Sequence, residues 1–236
     1  MGAAAASAAT THSFDPATAK LSIYGTDAPD QIKLDCGGGG GSGTNVVRVN
    51  GVNLVPLIPC GTVKAIYIIA YGANDTIDTT AVSPALGFTG LPAPTPANGP
   101  SAPLTVVGAD GDDTVIDGDY SSFLGGEAGN NTITGGGGDD YLAGDGAAFS
   151  HDIYNGGAGN DQILGSAGPD LLLGGAGKDQ IHGFKGKDKE YGGTGKDELD
   201  GSYGNDKLIG QAGYDKAEGG PGTDKCIAEQ KSNCEL

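Results

Sequence analysis

The sequence predicts an all-β chain wound as a solenoid, and three observations predict it. From Gly108 to Ile227 the chain repeats every nine residues in the pattern G-G-x-G-x-D-x-U-x, where U is a large apolar residue. GGAGNDQIL (156–164), GGAGKDQIH (174–182), GGTGKDELD (192–200) and GSYGNDKLI (201–209) are the clearest copies. Thirteen nonads lie end to end, and only 144–155, with three extra residues, is irregular. The second observation is glycine, 46 residues with no collagen-like period of three. The third is a hydrophobic content of 37 % with no Trp and one Met, too little for a large globular core. A thin core shared between stacked coils suits that composition.

Each nonad divides into a six-residue turn and a three-residue strand. Glycines at positions one, two and four allow positive φ and close backbone approach. Position eight, from Val115, Leu124, Ile133 and Leu142 to Leu208, Ala217 and Cys226, points inward. Positions seven and nine are mostly polar and point out. Strands stack about 4.8 Å apart, so thirteen nonads in pairs span roughly 30 Å. Glu190 breaks the inward pattern, and a bulge turning Tyr191 inward is one remedy. The formal net charge is -17, with only 13 Lys and Arg. That balance disfavours nucleic acid and anionic membranes as partners. No apolar run approaches a transmembrane span. Acidic chains are often disordered, but these acids are periodic, and regular acids imply regular cations.

The nonads resemble the hemolysin-type calcium-binding (RTX) repeat. The resemblance implies a right-handed parallel β-roll, a β-solenoid with calcium-binding turns and two nonads per coil. Position six would carry the ligands: Asp113, Asp140, Asp152, Asp161, Asp170, Asp179, Asp188, Asp197, Asp206, Asp215 and Asp224. Ser122 and Asn131 depart from aspartate, and Asn131 is kept among the candidate ligands. In the family each ion sits between turns on the same side. One row then links Asp152, Asp170, Asp188, Asp206 and Asp224, and the other links Asp140, Asp161, Asp179, Asp197 and Asp215. Four intervals in each row give about eight calcium ions, each with its six to eight oxygen ligands. Those ions would nearly offset the formal charge. Asp113 opens the array. Lys178, Lys187 and Lys196 at position five leave carbonyls free to bind, and the insertion Ala147–Phe149 threatens a site near Asp152. The competing reading is a metal-free solenoid whose aspartates only cap turns.

Around this array the chain divides into a flexible segment 1–19, irregular solenoid coils 20–107, the nonapeptide roll 108–227 and a closing cap 228–236. Within 20–107, GTDAPDQIK (25–33) and AYGANDTID (70–78) keep an acid at position six, Asp30 and Asp75, but have alanine at position four. Leu21–Ile23, Val46–Val49 and Ala65–Ile69 read as strands, 37–41 as a glycine loop and 84–103 as an exposed proline-rich loop. Four cysteines allow three connectivities. The local pairs Cys36–Cys60 and Cys226–Cys234 are expected, because solenoid contacts run between neighbours; four free thiols is the alternative. Disulfides imply an oxidising compartment, hence a secreted protein, free or at the cell surface. The start, MGAAAASAATTHS, lacks the charged and apolar regions of a signal peptide and reads as an artificial start or a cleavage remnant. The ending GGPGTDKC…CEL resembles the closing segment of secreted actinobacterial proteins of this type.

No catalytic motif stands out. His12, His151 and His182 form no H-E-x-x-H, and no G-x-S-x-G occurs. The expected function is therefore a non-catalytic calcium-binding solenoid that folds on export, with no protein or glycan partner named by the sequence. Self-association into a filament or surface layer through open strand edges is the alternative. A carbohydrate-binding or hydrolytic accessory module ranks below it.

Overall fold

The computed structural model describes residues 10–38, 45–50, 52–53, 57–82, 103–144 and 149–235. Two sheets of eleven strands each face one another. The chain alternates between them from residue 104 onward. One sheet takes Leu104–Asp110, Ser122–Ala128, Tyr141–Gly144, Gln162–Leu164, Gln180–His182, Glu198–Asp200, Lys216–Glu218 and Gln230–Ser232. The other takes Thr114–Ile116, Thr132–Gly137, Ile153–Ala158, Leu171–Gly177, Lys189–Gly195, Lys207–Gly213 and Lys225–Ile227. Neighbouring strands are parallel and in register, as in Ile163 opposite Ile181 and Leu172 opposite Glu190. This is the parallel β-solenoid expected of the repeats, with two nonads per coil.

Period-two alternation sets the core. All thirteen position-eight residues, Val115 to Cys226, are buried. Glu190 is among them, with no exposure at all, while Tyr191 stays half-buried on the outside. That bulge does not form, because parallel pairing with Leu171–Leu173 and Lys207–Ile209 holds strict register on both sides. The apolar ladder divides at this level. One cluster runs from Leu21 to Ile181, and a second holds Leu199, Leu208, Ala217 and Cys226.

The N-terminal coils depart from the simple winding. Lys20–Tyr24 and Ala65–Ile69 pair in parallel and continue one sheet, and Gln31–Gly38 and Thr76–Asp78 continue the other. Thr11–Asp15 folds back antiparallel on Lys20–Tyr24, so part of the segment expected to be flexible is a strand. Asn45–Val49 likewise pairs antiparallel with Gln31–Gly38. A disulfide joins Cys36 to Cys60, and another joins Cys226 to Cys234, with Cα separations of 6.2 and 5.9 Å. Gln230–Ser232 adds the last parallel strand, so the C-terminal segment is a further rung as well as a cap. Residues 39–41 of the glycine run, 84–102 of the proline-rich stretch and 147–148 of the insertion lie outside the described residues. No helix among the described residues is long and apolar enough to cross a membrane.

Candidate metal centre

Each turn crosses from one sheet to the other and folds its position-six side chain under its own backbone. The Oδ1 atom then accepts a hydrogen bond from the position-six N–H of the preceding coil. In one row Asp140, Asp161, Asp179 and Asp197 donate their N–H to the Oδ1 of Asp161, Asp179, Asp197 and Asp215, at 2.8 to 3.0 Å. In the other, Asp152, Asp170, Asp188 and Asp206 donate to Asp170, Asp188, Asp206 and Asp224 at 2.8 to 2.9 Å. The two rows are those that alternation of the nonads predicts. They also run further. Asp30 N–H donates to Asp75, Asp75 N–H to Asp113 and Asp113 N–H to Asn131, so Asp113 lies inside its row, not at its start. At the far end Asp215 N–H donates to Glu229, and Asp224 N–H to Glu235. These glutamates lie outside the nonapeptide register, which is why sequence pattern alone misses them.

The second carboxylate oxygen carries the chemical question. Oδ2 of Asp113, Asp140, Asp161, Asp179, Asp188, Asp197, Asp206, Asp215 and Asp224 is buried and has no hydrogen-bond partner among the described residues. Buried polar atoms are normally satisfied, and an orphan carboxylate oxygen is costly. Asn131 shows what those oxygens face. Its Nδ2 takes the same place over the position-one glycine, Gly126, that Oδ2 takes over Gly174 and Gly183. From there it donates to the carbonyls of Glu127 and Gly129, positions two and four of its own turn, at 3.3 and 3.2 Å. Where asparagine supplies a donor, aspartate supplies an oxygen facing oxygens. Only a proton or a cation reconciles that set. In Asn131 the Oδ1 accepts Asp113 N–H, as the aspartate Oδ1 atoms accept their ladder N–H groups, while the other end of the side chain is a donor.

Backbone shape distinguishes the open oxygens from the closed ones. Tyr71, Ala109, Glu127, Phe184, Ser202 and Gln211 hold positive φ at position two without being glycine. L residues avoid this region, so the turn is imposed on them. At Ser166 position two is not left-handed, and its N–H and hydroxyl donate to Asp170 Oδ2 at 2.6 and 3.0 Å. Ser150 Oγ donates to Asp152 Oδ2 at 2.9 Å. The interval between Asp152 and Asp170, beside the insertion, is thus filled by serines although its ladder bond survives. Phe149 of the insertion stands 87 % exposed.

Position one is glycine for room. A Cβ on Gly174 would lie 2.5 Å from Asp179 Oδ2 and 2.5 Å from the Gly192 carbonyl. The one turn with Ser122 at position six reverses the arrangement. Asp117 replaces the position-one glycine, stays buried, and accepts the hydroxyls of Ser122 and of Thr79, the latter at 2.5 Å. The paired loss of a position-one glycine and a position-six aspartate was the readable signal for Asp117.

Burial is the main cause of raised carboxyl pKa values along both rows. It brings Asp179, Asp206 and Asp113 to about 6, Asp161 and Asp188 to about 7, and Asp140, also repelled by Asp117 and Asp161, to about 9. The ladder N–H bonds pull the other way in Asp161 and Asp188. Inside the core, burial and then Asp188 and Asp206 push Glu190 well above the usual range. Its Oε1 sits 2.8 Å from the place of a Gly183 Cβ, next to Asp188 Oδ2. No group of three or more His, Cys, Asp or Glu side chains among the described residues is placed to hold a metal. An ion here would instead draw one carboxylate from each of two turns and complete its shell with carbonyls, oxygen donors of the kind calcium takes. His151 is exposed, and His182 Nδ1 lies 3.4 Å from Asp200 Oδ2 on the outer face.

A family model described as the RTX calcium-binding nonapeptide repeat, in four copies, matches residues 118–147, 151–189 and 191–226. No curated protein and no solved structure matches the chain.

Proposed function

We propose, for a chain whose residues 118–226 carry RTX calcium-binding nonapeptide repeats, that it is an extracellular, non-catalytic β-roll that completes its folding by binding calcium between its turns. The observation that carries this reading is the double row of buried Oδ2 atoms without donors. The residues that would hold the ions are Asp140, Asp161, Asp179, Asp197 and Asp215 in one row and Asp188, Asp206 and Asp224 in the other. Bound calcium supplies positive charge to opposed oxygens and so cross-links successive coils. From Asp140 onward both carboxylates are open in six intervals, four in the first row and two in the second. The count of about eight also requires the Asp152–Asp170 and Asp170–Asp188 intervals, where serine hydroxyls compete. Two disulfides fit an oxidising compartment. There, millimolar calcium fills sites as weak as about 10⁻⁴–10⁻³ M, whereas cytosolic levels leave them empty.

The test is chelation. Circular dichroism and melting are followed with calcium and with excess chelator, and bound ions are counted by native mass spectrometry. The expected result is loss of strand signal and a large fall in Tm on chelation, restored by calcium. Identical melting in both buffers with no bound ion removes the proposal.

A further inference from the structure

The ladder does not stop where the recognisable repeats do. Turns 70–75 and 108–113 lie upstream of the matched segment, and they lack glycine at key positions. Their backbones nevertheless copy the repeat turns. Tyr71 and Ala109 take the left-handed conformation of position two, with φ of 75° and 79°, and Ala73 takes that of position four at 90°. Asp110 N–H donates to the Tyr71 carbonyl at 2.9 Å, just as Tyr203 N–H donates to the Phe184 carbonyl at 2.8 Å downstream. A Cβ on Gly111 would strike the Ala73 carbonyl, as one on Gly204 would strike that of Gly186. Asp75 N–H donates to Asp113 Oδ1 at 2.8 Å, the rung that Asp188 and Asp206 make at 2.9 Å. Asp75 and Asp113 are each 2 % exposed, and Oδ2 of each has no partner among the described residues.

We propose that Asp75 and Asp113 form a further calcium site, with carbonyls of turns 70–75 and 108–113 supplying the remaining oxygens. The proposal rests on the calcium reading above and carries the ion stack out of the repeats into the irregular N-terminal coils. It stops at Asp75. In turn 25–30 Thr26 donates its N–H and hydroxyl to Asp30 Oδ2, at 2.6 and 3.1 Å, and no residue of that turn has positive φ. The consequence is that calcium orders the strand Thr76–Asp78 and joins it to Thr114–Ile116, although neither belongs to a matched repeat.

Ion counts by native mass spectrometry on the full chain, for wild type, Asp75→Asn and Asp188→Asn, test it. Asparagine keeps the rung, since Asn131 already accepts a ladder bond at 2.9 Å. Asp75→Asn is expected to carry one ion fewer than wild type, and Asp188→Asn fewer as well. An unchanged count in Asp75→Asn beside a reduced count in Asp188→Asn overturns this site and leaves the repeat sites standing. A wild type that binds no calcium overturns both. Hydrogen exchange needs no variant: calcium should slow exchange at Thr76–Asp78 by about tenfold or more, and unchanged exchange there overturns the site.

Discussion

Asp30 and Asp75 are 45 residues apart in sequence and Asp161 and Asp179 only 18, yet each pair makes the same amide-to-carboxylate bond. The rung is therefore a property of two stacked turns and not of coil length. Extra chain leaves the stack between a strand and the next turn, as the antiparallel hairpin Gln31–Gly38 with Asn45–Val49 does, and rejoins it in register. The two regions differ in what holds them. The N-terminal coils bury Leu21, Ile23, Leu34, Val47, Ile58, Val63, Ile66 and Ile68 and are tied by Cys36–Cys60. The repeat coils bury chiefly one apolar side chain per nonad, and most of the rest of each nonad is glycine-rich turn. Burial scales with apolar area and ordering cost with residue number. If calcium binds as proposed, the repeat coils should depend on the ions far more than the N-terminal coils do.

The sharpest way to break this contrast is to load the turns. Gly174→Ala places a methyl 2.5 Å from both Asp179 Oδ2 and the Gly192 carbonyl, whereas in Gly72→Ala the nearest atom lies 3.8 Å away. In saturating calcium, Gly174→Ala should destabilise by about 1–3 kcal/mol or more, and Gly72→Ala should be neutral or slightly stabilising. Denaturant melts compare them, and equal effects would mean that the carboxylate pocket is not rigid. Next in size is Asn131→Asp, which exchanges a donor for an oxygen facing the Glu127 and Gly129 carbonyls. It should lower stability in chelator by about 1–3 kcal/mol and lose most of that penalty in calcium. A penalty independent of calcium would show that no ion can enter there.

The smallest and most diffuse effect is pH dependence. Folded-state pKa values of about 6 for Asp179 and about 7 for Asp161 and Asp188 lie above the ordinary 3.8. Without calcium these groups therefore stabilise the fold fully below about pH 4, and that contribution is lost as pH rises through 6 to 7. With calcium the sign reverses, because protons compete with the ion for the same oxygens. Tm measured from pH 4 to 8 in chelator should fall, and in calcium it should rise. Parallel trends would sink the shared-oxygen picture.

Much of this was legible in the nonads. Position eight predicted a line of inward residues from Val115 to Cys226, all of them buried, and position six predicted both rows, because one rung of a parallel stack repeats one local pattern. Glu190 was visible as an exception, but its fate was not: a local bulge and a buried carboxylate are both compatible with the sequence. The register of strands on either side chose the second. Glu229 and Glu235 were illegible because they reach the ladder from 14 and 11 residues away, outside any nine-residue phase.

What the sequence determined by itself was the solenoid, its two-nonad coil and the spacing of its carboxylates, since periodic residues in a parallel stack must recur at periodic places. Only the tertiary structure decided where the ladder begins and ends and which oxygens remain open. It decided, too, that tyrosine, alanine and phenylalanine would be held in a conformation suited to glycine. The physical reason is that these are contacts between coils. A turn's shape is imposed by the carbonyls and amides stacked above and below it, and those neighbours lie 18, 38 or 45 residues away.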